Sequence, residues 1–360
     1  MEESEEKQDS TSLKSERLAF LDSLRAIAII MVIGVHTLSY CVELPRDLKQ
    51  IVSFTAHTIS VPVFFLVDGY LFARSVIHLK KYTYFEYVRN SLFRLLAPWA
   101  VFTLAYTLAR YVFELTGFLK EKLIVGRSLH EVIVSAYGSV YAPQLYFLFS
   151  LFLIRLCAPF FKKVLSIENY FVLLFLLCTY YVAYRSIIPS ASIYLKIDGG
   201  QEPVLHALWG LQFYLAGIAL FMTSKIVDLR KLFMPFLLVF ILVMFAKNNS
   251  RVEELGYLVQ YLYLITMFLF FTLFQSGFYF LNMTGKNSMG IYLIHAPIVL
   301  KVVSLIVNKF VFDPTLSFVS ILVCTFILSL SIAMVIISVP YGCLLFGAPY
   351  QKRSHLPASK

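Results

Sequence analysis

The chain has 360 residues, 59% of them hydrophobic, and a mean hydropathy of +0.77. Only 14% of residues are charged, against about a quarter in soluble domains, which excludes an ordinary soluble protein and predicts an all-α polytopic membrane protein. The net charge of +10 is no nucleic-acid signature, because the basic residues cluster between apolar runs and form no stripe with interleaved aromatics.

In chain order, residues 1–17 are polar and acid-rich, without the features of a signal peptide, and are expected to form a disordered cytoplasmic tail. Ten apolar segments follow, at about 18–41, 51–78, 86–114, 144–163, 167–184, 204–223, 230–247, 255–276, 288–310 and 316–347. They predict about ten transmembrane helices within one membrane-embedded domain, residues 18–347, and a short cytoplasmic tail at 348–360. Lys and Arg are more abundant in the tails and loops on the N-terminal side, so both termini are expected in the cytoplasm. Pro62, Pro98 and Pro297 are candidate helix kinks. The longest outer connections are 115–143 and 185–203. SLHEVIVSAYGSVY within the first reads as an interfacial or re-entrant helix, and Glu131, Asp198 and Glu202 are candidates to contact an outer ligand. Five cysteines without paired spacing suggest neither a disulfide framework nor a metal site.

The first segment contains RAIAIIMVIGVH. Eleven positions at 100° each bring Arg25 and His36 back to within about 20° on one helix face, about 16 Å apart along the axis. Asp22 joins that face three residues before Arg25. A polar stripe on an apolar span faces protein or a water-filled cavity rather than lipid. Its bland reading is an interfacial Asp22–Arg25 pair and a packed histidine. Other spans add to it. VPVFFLVDGYLFAR carries Asp68, which needs a buried partner and finds candidates in Arg25 and Arg74. YVRNSLFRLLAPW carries Arg89 and Arg94, and SMGIYLIHAP carries His295. By depth, Arg25, Asp68, Arg89, Arg94 and His295 are expected in the inner half, and His36 and His57 in the outer half. A basic inner vestibule of this kind suits an anionic cytoplasmic ligand, since guanidinium forks match phosphate oxygens.

LDSLRAIAIIMVIGVH, VPVFFLVDGYLF, YVRNSLFRLLAPW, QLYFLFSLFLIRL, FYLAGIAL and SMGIYLIHAPI, in this order, resemble the acyltransferase-3 family of integral-membrane O-acyltransferases over about residues 18 to 347. The resemblance implies transfer of an acyl group, acetyl first and succinyl next, from cytoplasmic acyl-CoA to a hydroxyl of a cell-surface carbohydrate or its lipid-linked precursor. It implies a multi-pass protein of a bacterial inner membrane, with membrane lipid around it and no metal; a homo-oligomer is compatible with it. Arg25 and His36 correspond to the family's essential Arg and His. Arg89 and Arg94 are then expected to bind the nucleotide phosphates of the donor. Asp22, Asp68, His295 and Tyr146 are expected to line the site. Family members usually have Ser-Gly at Asp68-Gly69, which questions a simple structural role there, and often Trp at Tyr146. His36 is either the base for the acceptor hydroxyl or a transient acyl carrier. The competing reading is a transporter or flippase for a polysaccharide or lipid-linked sugar, which intramembrane charges fit equally well.

Overall fold

The computed structural model describes residues 18–38, 44–79, 83–119, 121–166, 177–184, 202–249 and 254–348. The tails at 1–17 and 349–360, most of the segment at 167–184, and the stretch 185–201 with Asp198 lie outside the described residues. Every described element is a helix, so the backbone polar groups are satisfied within segments, as a bilayer demands. Among the described residues, seven helices are long and apolar enough to cross a membrane: Ala19–Leu38, Arg46–Ile77, Tyr84–Leu115, Pro203–Ser224, Leu229–Lys247, Ser288–Phe310 and Pro314–Ser338. The chain is therefore an all-α polytopic membrane protein.

The apolar segments map onto elements as follows. Helix α1 is Ala19–Leu38 and α2 is Arg46–Leu79, a single helix that contains Pro62 without ending there. The third segment is broken. Thr83 opens α3, Tyr84–Ser91, through a reciprocal capping box with Glu86. A π-helical turn, Leu92–Leu96, then leads into α4, Ala97–Leu115, with Pro98 in its first turn where a missing N–H is harmless. The fourth segment is bent by 53° between α6, Tyr146–Leu156, and α7, Ala158–Ser166. The bend falls just before Pro159, which cannot continue the hydrogen-bond ladder of α6. Between α4 and α6 lies α5, Leu129–Tyr137, capped by Ser128 and Glu131. None of its residues is buried, and Leu129 and Ile133 are exposed, as an interfacial helix requires.

The second half comprises α8, Pro203–Ser224, α9, Phe233–Asn249, and α10, Glu254–Thr272, of which the apolar part is shorter than the seven spans. Next come the short α11, Tyr279–Lys286, and α12, Ser288–Ile294. A π turn at His295–Val299 leads to α13, Leu300–Phe310, and the bundle closes with α14, Pro314–Ser338.

The core is built on α1, α2 and α8. Where α2 crosses α8, a Cβ on Gly69 would collide with the Tyr214 carbonyl, and one on Gly217 with the Leu66 carbonyl. Gly285 of α11 lies equally close to the Asp22 carbonyl of α1. Lipid offers apolar side chains no preference for one another, so such backbone contacts between small residues hold membrane helices together.

At the end of α4, Glu114 is buried and shapes the following loop. Its carboxylate accepts from the Leu123, Ile124 and Val125 amides at 3.0, 2.8 and 3.0 Å and from Arg110 at 2.8 Å. Glu114→Ala strands these donors and is expected to destabilise the protein by about 3 kcal/mol. Faster protease cleavage within 116–127 and a lower unfolding temperature in detergent check it; unchanged cleavage contradicts it.

Candidate active site

Helix α1 runs from an Arg25 end to a His36 end, and the bundle carries different chemistry at the two. At the His36 end lies a cavity of about 770 Å³, large enough for a substantial ligand. His36 of α1 and His57 of α2 line it, as do Gln144 and Tyr146 at the start of α6. Helix α8 adds His206, Trp209 and Gln212, α10 adds Tyr257, Gln260 and Tyr261, and α12 adds Tyr292. The Tyr146 and His206 rings lie 4.0 Å apart at 33°, and Trp209 meets His206 edge-on at 6.3 Å. Among the described residues lining the cavity there is no Asp, Glu, Lys or Arg. The wall is thus uncharged and aromatic, with imidazoles, amides and phenols as its polar groups. Such a wall can take a polyhydroxylated ligand: ring faces cover its C–H surfaces and polar tips meet its hydroxyls.

Tyr292 lies in the buried part of the wall. It is 3% exposed, and its hydroxyl has no hydrogen-bond partner. Just beyond it the helix breaks. Ala296 leaves the helical region (φ −133°, ψ 155°), and Pro297 has no N–H to offer the Leu293 carbonyl. Side chains compensate. Tyr106 donates to the Leu293 carbonyl at 2.6 Å, Gln144 donates to the Ala296 carbonyl, and His295 Nδ1 lies 2.8 Å from the Tyr292 carbonyl oxygen. The predicted kink at Pro297 therefore exists, and it organises the back of the cavity.

His295 departs from the expected depth. Its ring centre is 5.3 Å from that of His36, so it belongs to the His36 end and not to the inner half with Arg25. The physical reason is α11. This helix already packs on Asp22 through Gly285, so His295 stands ten residues beyond that contact rather than seven beyond the start of a span. From that contact the chain runs through Asn287 and α12 toward the His36 end, which sets His295 beside His36 rather than beside Arg25.

Asp68 also departs from expectation. It does not line the cavity and does not pair with Arg25 or Arg74. Arg155 of α6 binds it with both forks, Nε donating at 2.9 Å to one carboxylate oxygen and Nη2 donating to the other. Asp68 lies six residues along α2 from the cavity-lining Pro62, about 9 Å further into the bundle. A carboxylate at that depth needs a fully matched cation, and an arginine fork is the best available. Arg155 was legible as the lone charge in QLYFLFSLFLIRL, but its partner was not.

At the Arg25 end, Arg25 pairs with Asp22 at 3.3 Å, as the i,i+3 spacing predicts, and Asp22 is 1% exposed. Arg89 and Arg94 are exposed on α3 and the π turn, and line none of the three cavities. A second cavity of about 770 Å³ opens at this end, between the start of α1 and the end of α8, with Lys225 and Arg230 in its wall. Between the two ends, Ala28 and Ile29 of α1 are fully buried.

Of the other sequence candidates, Tyr146 lines the cavity. Glu131 is occupied in the α5 capping box, where the Ser128 amide and hydroxyl hold its carboxylate below the usual range. Glu202 caps α8 and accepts a hydrogen bond from Tyr137 at 3.1 Å. His206, Trp209, Gln144 and Gln212 were not singled out by the sequence. Trp209, one of two tryptophans and three residues after a histidine, carried the only visible signal.

Comparisons with curated proteins and with solved structures return no match. The sequence model of the acyltransferase-3 family, an acyltransferase domain, matches residues 18–336. That match spans most of the chain, including α1 with Arg25 and His36, the crossing of α2 with α8 and the kink after α12. The chain belongs to the acyltransferase-3 family and is a membrane acyltransferase.

Proposed function

We propose that this protein is an O-acyltransferase that moves an acetyl group from acetyl-CoA to a hydroxyl of a cell-surface carbohydrate or its lipid-linked precursor. The observation that carries this reading is the uncharged, aromatic cavity with His36 in its wall. An acceptor ring stacks on Trp209 or Tyr146 there and turns one hydroxyl toward His36. The Arg25 end faces the cytoplasm of a bacterial cell, and both termini lie on that side. Arg25 and the exposed Arg89 and Arg94 suit the phosphates of the donor, and Lys225 stands in the wall of the cavity at that end, where Arg230 is paired with Asp228.

The chemistry needs a base and an oxyanion donor. The donor supplies an activated carbonyl as a thioester. The bare nitrogen of neutral His36 takes the proton of the acceptor hydroxyl as its oxygen attacks the carbonyl carbon. The unpartnered Tyr292 hydroxyl donates to the oxygen that gains charge. The C–O bond forms, the C–S bond breaks, and the thiolate leaves with the proton returned by His36. Atoms and charge balance, and neither side chain is consumed.

Comparing surface glycans of cells with and without the gene tests the reading. An ester that disappears on deletion and returns with the wild-type gene is expected. Intact esters together with unmodified glycan accumulating inside the cell would support a flippase instead. Trp209→Ala is expected to raise the acceptor KM about tenfold with kcat little changed, because it removes a stacking face worth about 1.5 kcal/mol. An unchanged KM would remove the acceptor from this cavity.

A further inference from the structure

A catalytic histidine works only if its tautomer and ring orientation are set, and a buried carboxylate usually does this. Among the described residues lining the cavity there is no carboxylate. What stands behind His36 is a second histidine. His295 is fully buried, does not itself line the cavity, and lies 5.3 Å from His36 between ring centres.

Two carbonyls of the preceding helical turn fix the state of His295. Its Nδ1 is 2.8 Å from the Tyr292 carbonyl oxygen and 3.2 Å from that of Ile291. Carbonyl oxygens only accept, so Nδ1 carries the proton and the neutral ring presents a bare Nε2. That Nε2 is buried and has no hydrogen-bond partner. Ring nitrogens sit about 1.1 Å from the ring centre, so two imidazoles bonded at about 3 Å have centres about 5 Å apart. The two rings are spaced for that bond.

We propose that His295 is the positioning residue for His36: its Nε2 accepts the ring N–H of His36, holding His36 in one tautomer with its other nitrogen bare toward the cavity. This rests on the reading of His36 as the base. The acceptor is supplied by a neutral ring, so no uncompensated negative charge is placed in the membrane interior. When His36 takes the hydroxyl proton, the same bond strengthens, because its donor has become an imidazolium.

Two variants and one spectrum test the pairing. His295→Leu is expected to lower kcat about a hundredfold, with the acceptor KM within about twofold. His295→Gln keeps an acceptor oxygen at similar reach and is expected to recover most of that loss. In wild-type protein labelled with ¹⁵N-histidine, His36 and His295 are each expected as a single neutral tautomer, His295 protonated on Nδ1. The proposal is overturned if His295→Leu turns over at the wild-type rate while His36→Ala is inactive, or if the spectrum shows His295 protonated on Nε2. The spectrum needs no variant, so it decides the matter even if His295→Leu does not fold. A wild-type rate in His36→Ala would instead defeat the reading of His36 as base, and the spectrum alone would then judge the pairing.

Discussion

His36→Ala lowers acyl transfer by about a hundredfold to ten-thousandfold, the usual contribution of a positioned general base. The loss appears in kcat and in kcat/KM alike, because the proton moves only in the transition state. Folding is not expected to suffer. His36 lies in the last turn of α1, half-buried at a cavity wall, and alanine is the best helix former. Replacing it opens space that is already open, so the unfolding temperature should move little. A structural histidine would behave in the opposite way, with the unfolding temperature falling and the activity of the surviving folded protein unchanged. Measuring both quantities on one purified sample separates the two cases.

Asp68→Ala destabilises the protein by about 3–5 kcal/mol, the cost of stranding a buried guanidinium. Asp68 and Arg155 are 13% and 17% exposed at their side chains, and the contact uses both carboxylate oxygens. Arg155→Ala strands the carboxylate and should cost a similar amount. The double variant Asp68→Ala/Arg155→Leu leaves no unpaired charge, so it is expected to be more stable than either single variant. A large coupling energy in this cycle marks the pair as one unit. Additive losses would mean that each charge has another partner. Asp68 lies about 9 Å along α2 from the cavity wall, so acceptor KM in the folded double variant should stay near the wild-type value.

Much of this architecture was legible in the sequence. Among the described residues, seven of the apolar segments are long helices, because a span of about 20 apolar residues has few other ways to satisfy its backbone. The Asp22–Arg25 pair followed from helix spacing alone. The kink at Pro297 followed from a missing N–H. The rest depended on which helices touch. Asp68 and Arg155 are 87 positions apart, and their meeting is decided by how α2 and α6 both pack against α8. His295 was misplaced in depth because the short α11 starts the climb earlier than the hydropathy of the segment suggests. The cavity is assembled from several helices, each contributing one to three polar residues that look unremarkable on their own span. No single stretch announces it.

The central claim is that an acyl group passes from a thioester donor to an acceptor hydroxyl at His36. Purified protein in proteoliposomes, given ¹⁴C-acetyl-CoA on one face and acceptor glycan on the other, tests it most directly. Label recovered as an ester on the acceptor, absent with His36→Ala, is the predicted result. Acceptor that crosses the membrane without label, or label transferred equally well by His36→Ala, would contradict it.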